Sequence, residues 1–234
     1  MKKLRWDLDL LTVDNAKTIK GESLGYRTMI LYLSPADMGG KNLCPNASEG
    51  CKTACLNTAG RGAFDSVQAG RAMRTAKFHA DRARFIARLD FEIARGIRSA
   101  RRAGLKVSVR LNGTSDINWY GIAPELFEKY ADAVTFYDYT KNAPLAARAP
   151  YHLTFSRAEH NHASARAVIA SGGNVAVAFA VKRGAPLPSH YLGAPVIDGD
   201  LHDLRFLDPR GVVVGLRAKG KARADVSGFV VAIA

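Results

Sequence analysis

No run in the sequence approaches eighteen apolar residues, so nothing in it predicts a membrane-spanning helix. Cysteine is scarce and odd in number, with only Cys44, Cys51 and Cys55 among 234 residues. A disulfide framework needs paired cysteines and belongs to short secreted chains, whereas this chain opens on "MKKLRWDLDL", with Asp7 and Asp9 where a signal's apolar core would begin. The expectation is a reduced, soluble protein of the cytoplasm. No GxGxxG opens a helix, so the usual mark of a dinucleotide fold is missing. Low-complexity segments, repeats and long Pro/Gly/Ser linkers are missing too, and "VKRGAPLPSHYLGAP" reads as a loop. Residues 1–234 are therefore expected to form a single domain.

Negative charge is the sign in short supply. There are 21 Asp and Glu against 34 Lys and Arg, a net charge of +13. Residues 61–106 concentrate twelve of those basic side chains with four acidic ones, and "GLRAKGKAR" adds Arg217, Lys219, Lys221 and Arg223. Such a surface attracts polyanions, and nucleic acid or a nucleotide is the expected partner. Aromatics are few in the basic stretch: Phe78, Phe85 and Phe91. Phe78 and Phe85 share helical spacing with Ile86, Leu89, Ile93 and Ile97, which predicts a core position for both.

What the chain has in number is short apolar runs. "YRTMILYL" (26–33) predicts a first strand, and a helical pattern over about 66–103 follows, kinked near Asp81 and ended by Gly104. Then come "KVSVRL", "AVTFY", "YHLTF", "NVAVAFAV", "APVI" and "GVVVGL", most of them near-continuously apolar as strands covered on both faces must be. Helical segments at 123–130 and 158–171 fit between the earlier ones. The order predicts an α/β fold with a parallel sheet, curled into a partial or closed β/α barrel. Polar residues gather where these strands end: Asn112, Thr114, Ser115 and Asp116; Asp138 and Lys141; Ser156 and Glu159; Lys182; Asp198 and Asp200; Lys219. In a barrel those ends form one mouth, where an active site is built.

The cysteine loop at 42–62 leaves the first strand and is expected to lie over that mouth. Its spacing is C-x6-C-x3-C. Three thiolates can hold three irons of a [4Fe-4S] cluster and leave the fourth open to a ligand. Zinc is the alternative, with a fourth ligand such as His79, and free thiols or a disulfide are the remaining ones.

A cysteine triplet after the first strand of a parallel β/α barrel resembles the radical S-adenosylmethionine enzymes. The spacing is wider than their common C-x3-C-x2-C, and "RLNGTSD" stands where a glycine-glycine-glutamate stretch is usual. That resemblance implies a TIM-like barrel, a cluster held by Cys44, Cys51 and Cys55, and S-adenosylmethionine met by Asn112, Ser115, Asp116 and Ser156. A second resemblance covers most of the chain. "CPNASEGCKTACLNTAGRG", "VRLNGTSDI", "FYDYTK", "YHLTFS" and "PVIDGDLHDLRFLDPRGVVVGLRAKGKAR" are similar to a family of bacteriophage-encoded proteins. It implies an infected host's cytoplasm as the setting and no particular reaction.

Among single residues, Asp138 beside Lys141 is a candidate general acid/base, and Asp198 is a further catalytic candidate. Asp198 and Asp200, with His202 and Asp203, are alternatively a hard-cation loop. Asn112 and Asp116 serve a ligand or only their own turn, and His160 and His162 are expected at the surface. The functional expectation is an iron-sulfur enzyme of radical S-adenosylmethionine type acting on an anionic substrate. The alternatives are a metal-stabilised nucleic-acid-binding protein without catalysis and a phage inhibitor of a host factor.

Overall fold

The computed structural model describes residues 4–233, so the first three residues of the opening stretch lie outside the described part. The chain divides into two units, each made of two segments: Met1–Cys44 with Asp65–Asp138, and Pro45–Phe64 with Tyr139–Ala234.

The first unit begins with β1 (Leu11–Thr12), α1 (Ala16–Glu22) and β2 (Tyr26–Leu31). The chain leaves it for α2 (Glu49–Thr53) and returns with α3 (Asp65–Ala80), α4 (Arg82–Arg102), β3 (Lys106–Arg110), α5 (Trp119–Ile122), α6 (Pro124–Lys129) and β4 (Val134–Thr140). Strands β2, β3 and β4 run parallel in that order, with β1 antiparallel beside β2. The long helical pattern of the sequence is two helices. Asp81 has an extended backbone, φ −155°, and its side chain accepts the Arg84 N–H at 2.9 Å, so it caps α4 as α3 ends. Gly104, at φ +66°, comes after α4 as expected, because the left-handed cap costs glycine nothing. Phe85, Leu89 and Ile93 line the buried face of α4, which packs on β2 and β3. Phe78, Phe85 and Trp119 meet ring to ring, so both predicted core phenylalanines are core.

A strap closes this unit on its helical side. Glu92 is 2% exposed, accepting the Leu10 N–H at 3.0 Å, the Leu11 N–H at 2.8 Å and the Arg88 guanidinium at 2.6 Å. The same strap takes the buried Lys77 ammonium on the Leu8 carbonyl at 3.2 Å. A carboxylate that pairs two backbone N–H groups with an arginine replaces the water each would lose on burial.

The second unit adds α7 (Ala143–Arg148), β5 (His152–Ser156), α8 (His162–Ala170), β6 (Val175–Phe179), β7 (His190–Tyr191), β8 (Ala194–Asp198) and β9 (Val213–Arg217). Its strand order is β5-β6-β9-β8-β7, parallel except for β7. Phe155, Val175, Val177, Phe179 and Val213 form the core, with Ala165 of α8 against them. A smaller cluster joins Ala54, from the cysteine loop, to Ala218, Ala222 and Val230. Inside the predicted loop at 181–195 lies a hairpin, β7 to β8, turned by Leu192 and Gly193 at φ +57° and +81°. Two positive φ values in succession make the tight turn that matches strand twist.

The fold is thus mixed α/β, and the strands among the described residues are mostly parallel. The expected barrel is not formed, because the sheet does not close in either unit. Two-residue antiparallel strands, β1 and β7, stand outermost beside β2 and β8 and leave too little backbone to carry the pairing further. From β6 to β9 the connections also carry no α-helix among the described residues, so the alternation that builds a barrel stops.

Candidate functional site

In the first unit the "NGTSD" turn comes directly after β3 and is stitched to the segment leaving β2. Asn112, 3% exposed, accepts through Oδ1 from Ser115 Oγ at 2.8 Å, Ile117 N at 3.0 Å and Trp119 Nε1 at 3.2 Å, and donates through Nδ2 to Ile117 O at 2.9 Å. Asn112 and Ser115 therefore spend these bonds on the turn itself. Gly113 donates to Leu31 O at 2.9 Å, and a Cβ there would stand 2.6 Å from that oxygen, so only glycine allows the approach. Half-buried Asp116 donates its N–H to Leu43 O at 2.9 Å. Next to it the Cys44 thiol accepts the Ala36 N–H at 3.2 Å and reaches the Thr114 carbonyl at 3.7 Å. The first cysteine is thus held at the carboxyl ends of the strands of its own unit.

Beneath the turn lies Asp138, 1% exposed, accepting the Asn112 N–H at 2.8 Å. Its charged neighbour is the buried Arg110, with Nε at 3.8 Å. Burial pushes the carboxyl up to about 8, against the pull of Arg110 and the N–H groups of Asn112 and Leu111. Burial thus favours the protonated form, and the cation facing this carboxyl is Arg110 where the sequence suggested Lys141.

In the second unit Cys51 and Cys55 are half-buried, on and just past α2. Ser48 caps α2, taking the Cys51 N–H on its Oγ at 3.1 Å. Glu159 holds that cap, accepting from Ser48 Oγ at 2.6 Å and Gly50 N at 2.9 Å. Partial burial raises the Glu159 carboxyl, and the hydrogen bonds from Ser48 and Gly50 outweigh that, so it stays below its ordinary range. Ser156, half-buried at the end of β5, gives its carbonyl to Asn161 Nδ2 at 3.1 Å. Lys141 lies over the Phe229 ring at 5.8 Å. Asp198 and Asp200 both face Arg217, whose Nη1 is 2.9 Å from each Asp198 oxygen and 3.2 Å from Asp200, while Lys219 meets Asp200 at 2.6 Å. The acidic loop is thereby neutralised by two cations of its own unit. His202 touches Arg205 at 3.1 Å, His160 and His162 are exposed as expected, and His79 of the first unit packs its ring against Phe78. Among the described residues no three His, Cys, Asp or Glu side chains gather into a group that could hold a metal ion.

Within the basic stretch the structure sorts the cations into buried and exposed ones. Arg71 and Lys77 are buried in the first unit and do not face solvent. On α4, however, positions 84, 88, 91, 95, 98 and 102 succeed one another by steps of four and three and share one face. Five are arginine, and the sixth is Phe91. Arg84 lies over the Trp6 ring at 4.5 Å, and Arg88 and Arg95 flank Phe91 at 5.4 and 6.0 Å. Asp9 bridges Arg88 at 2.7 Å and Arg95 at 2.6 Å.

A family model described as Gene product 88 matches residues 9–233, nearly the whole chain. The chain belongs to the gene product 88 family. That description is a numbered gene product of phage type, in keeping with the resemblance of the cysteine-loop and "VRLNGTSDI" strings, and it names no activity. No curated protein and no solved structure matches the chain.

In this gene product 88 protein the buried charges Arg110, Glu92 and Arg205 escape a reading by composition. Arg110 looks like one more basic residue, yet its place inside the apolar run "KVSVRL" is the signal that it is buried. Glu92 sits between Phe91 and Ile93, at helical spacing from Phe85 and Leu89, which marks it as facing the core. Arg205, fully buried with Asp208 at 3.3 Å, lies in a 3-10 turn and gives no such sign.

Proposed function

We propose that this protein binds nucleic acid along the exposed face of α4. The observation that carries the reading is the row of Arg84, Arg88, Arg95, Arg98 and Arg102 on one helical face. At 1.5 Å per residue the row is about 27 Å long, enough to track several phosphates. The carboxylates against it are Asp9 and Glu92, both on the Arg88–Arg95 stretch, so the row remains strongly cationic. The net charge of +13 favours the same partner at long range. Binding of a labelled oligonucleotide should weaken steeply as salt rises. Exposed Arg98 and Arg102 replaced by Glu should lower the salt slope by about two phosphates' worth, roughly 0.7–0.9 each, with the circular dichroism unchanged. An unaltered slope, or no binding at low salt, would remove the reading.

The second reading is an iron-sulfur enzyme of radical S-adenosylmethionine type with an anionic substrate. One observation favours it: the Cys44 thiol held beside the "NGTSD" turn at the strand ends. The ligand set does not come together among the described residues, so no step is derived through a cluster. The test is anaerobic purification with metal analysis. Roughly four irons per chain, lost on replacing Cys51 with Ala, would support it. One colourless zinc would favour the zinc-stabilised binder, and a metal-free, fully folded protein would end both metal readings.

A further inference from the structure

We propose that Phe91 is a stacking platform for an unpaired base, so that the ligand of the α4 face is single-stranded nucleic acid. The inference rests on the reading that this face binds nucleic acid, and it names which kind.

The three phenylalanines of the basic region have different fates. Phe78 and Phe85 are 2% and 0% exposed and serve the core, while Phe91 is 50% exposed. It stands in the middle of the arginine row, three residues from Arg88 and four from Arg95. An apolar ring open to water is common on a protein surface, but one centred in a row of five like charges has a narrower use. Duplex nucleic acid would meet this row with phosphates alone, and the ring would gain nothing from them. A single strand offers both phosphates for the guanidinium groups and a flat base face for the ring.

The flanks of the ring are held in advance. The Arg88 guanidinium is fixed by Glu92 at 2.6 Å and by Asp9 at 2.7 Å, and Arg95 is fixed by Asp9 at 2.6 Å. Their central carbons stand 5.4 and 6.0 Å from the ring centroid. Both lie within the roughly 6 Å reach of a cation–π contact, so the two guanidiniums attend the ring while half of its surface stays open to water. Two ordered cations beside an open ring spare a bound strand the entropy of arranging them. Seven residues back on the helix, Arg84 lies over half-buried Trp6 at 4.5 Å, a second aromatic on the same row.

The test uses the full chain with a twenty-nucleotide mixed-sequence single strand and the duplex of the same sequence. The wild type should prefer the single strand. Replacing Phe91 with Ala should weaken single-strand binding about five- to a hundredfold, leaving duplex binding and the salt slope unchanged. Phe91→Leu, which keeps the apolar bulk without a flat ring, should resemble Ala, and Phe91→Trp should retain affinity. The ring is exposed, so unchanged thermal unfolding is expected in all three variants. Equal binding of both probes, or no effect of Phe91→Ala, would overturn the stacking platform while leaving the nucleic-acid reading intact. Absence of binding to either probe at low salt would overturn both.

Discussion

Replacing Glu92 with Ala is expected to destabilise the protein by about 3–5 kcal/mol, the cost of breaking a buried charged group's pairing from one side. The carboxylate takes two N–H groups of the strap, from Leu10 and Leu11, together with the Arg88 guanidinium. Leu10 and Leu11 are buried, so water does not readily replace the lost acceptor, and each unpaired donor costs about 1–3 kcal/mol. Glu92→Gln keeps one acceptor and turns a donor toward the strap, so it should fall between wild type and Ala. Urea unfolding would record this as a lower midpoint at constant slope. A loss under about 1 kcal/mol would mean that the strap re-forms without its anchor, against the usual cost of orphaned buried donors.

Asp138→Asn should change how stability depends on pH. Burial raises the Asp138 carboxyl to about 8 in the folded chain, above the unfolded value of about 3.9. The folded state therefore keeps its proton while the unfolded state releases it. The stabilisation is full below about pH 4 and is lost as pH rises, by at most about 1.4 kcal/mol per unit, until the folded group ionises near 8. Asparagine has no proton to lose, and its Oδ1 can still accept the Asn112 N–H. Unfolding measured from pH 5 to 8 should show the variant gaining on the wild type at each step and levelling off above 8. His152, lowered to about 4 by burial and Arg205, and Asp208, raised to about 6 by burial, are present in both proteins and cancel in the difference. Parallel curves would show Asp138 ionised throughout.

The parallel strands were legible because most of their runs are near-continuously apolar, as "NVAVAFAV" is, whereas "KVSVRL" alternates and buries Ser108 and Arg110 on its other face. Closure into a barrel was not, since it turns on the outermost pairings, and β1 and β7 are two residues long with no pattern of their own. The turn at Asn112 to Asp116 was legible as a turn. Its engagement with Cys44 and Leu31 comes from residues some seventy to eighty positions away and leaves no local mark. The α4 row was hidden by counting charges without their phase. Within α4, helical phase separates Arg84, Arg98, Arg102 and Phe91 from the core-facing Phe85 and Leu89, while buried Arg71 and Lys77 belong to α3, whose phase is broken at Asp81. The three cysteines are neighbours in sequence, and the division of the chain assigns Cys44 to one unit and Cys51 and Cys55 to the other.

That division has a consequence for synthesis on the ribosome. The first unit is complete once residue 138 has emerged, but the second draws on 45–64 as well as 139–234. At about 5–20 residues per second, the stretch carrying Cys51 and Cys55 waits roughly 5–20 s for Glu159 and roughly 9–35 s for Val230 to be made. Ala54 meets Ala218, Ala222 and Val230, and Ser48 and Gly50 meet Glu159, only after that delay. The nascent chain therefore carries the thiols of Cys51 and Cys55 through the interval without the partial burial that the folded loop gives them.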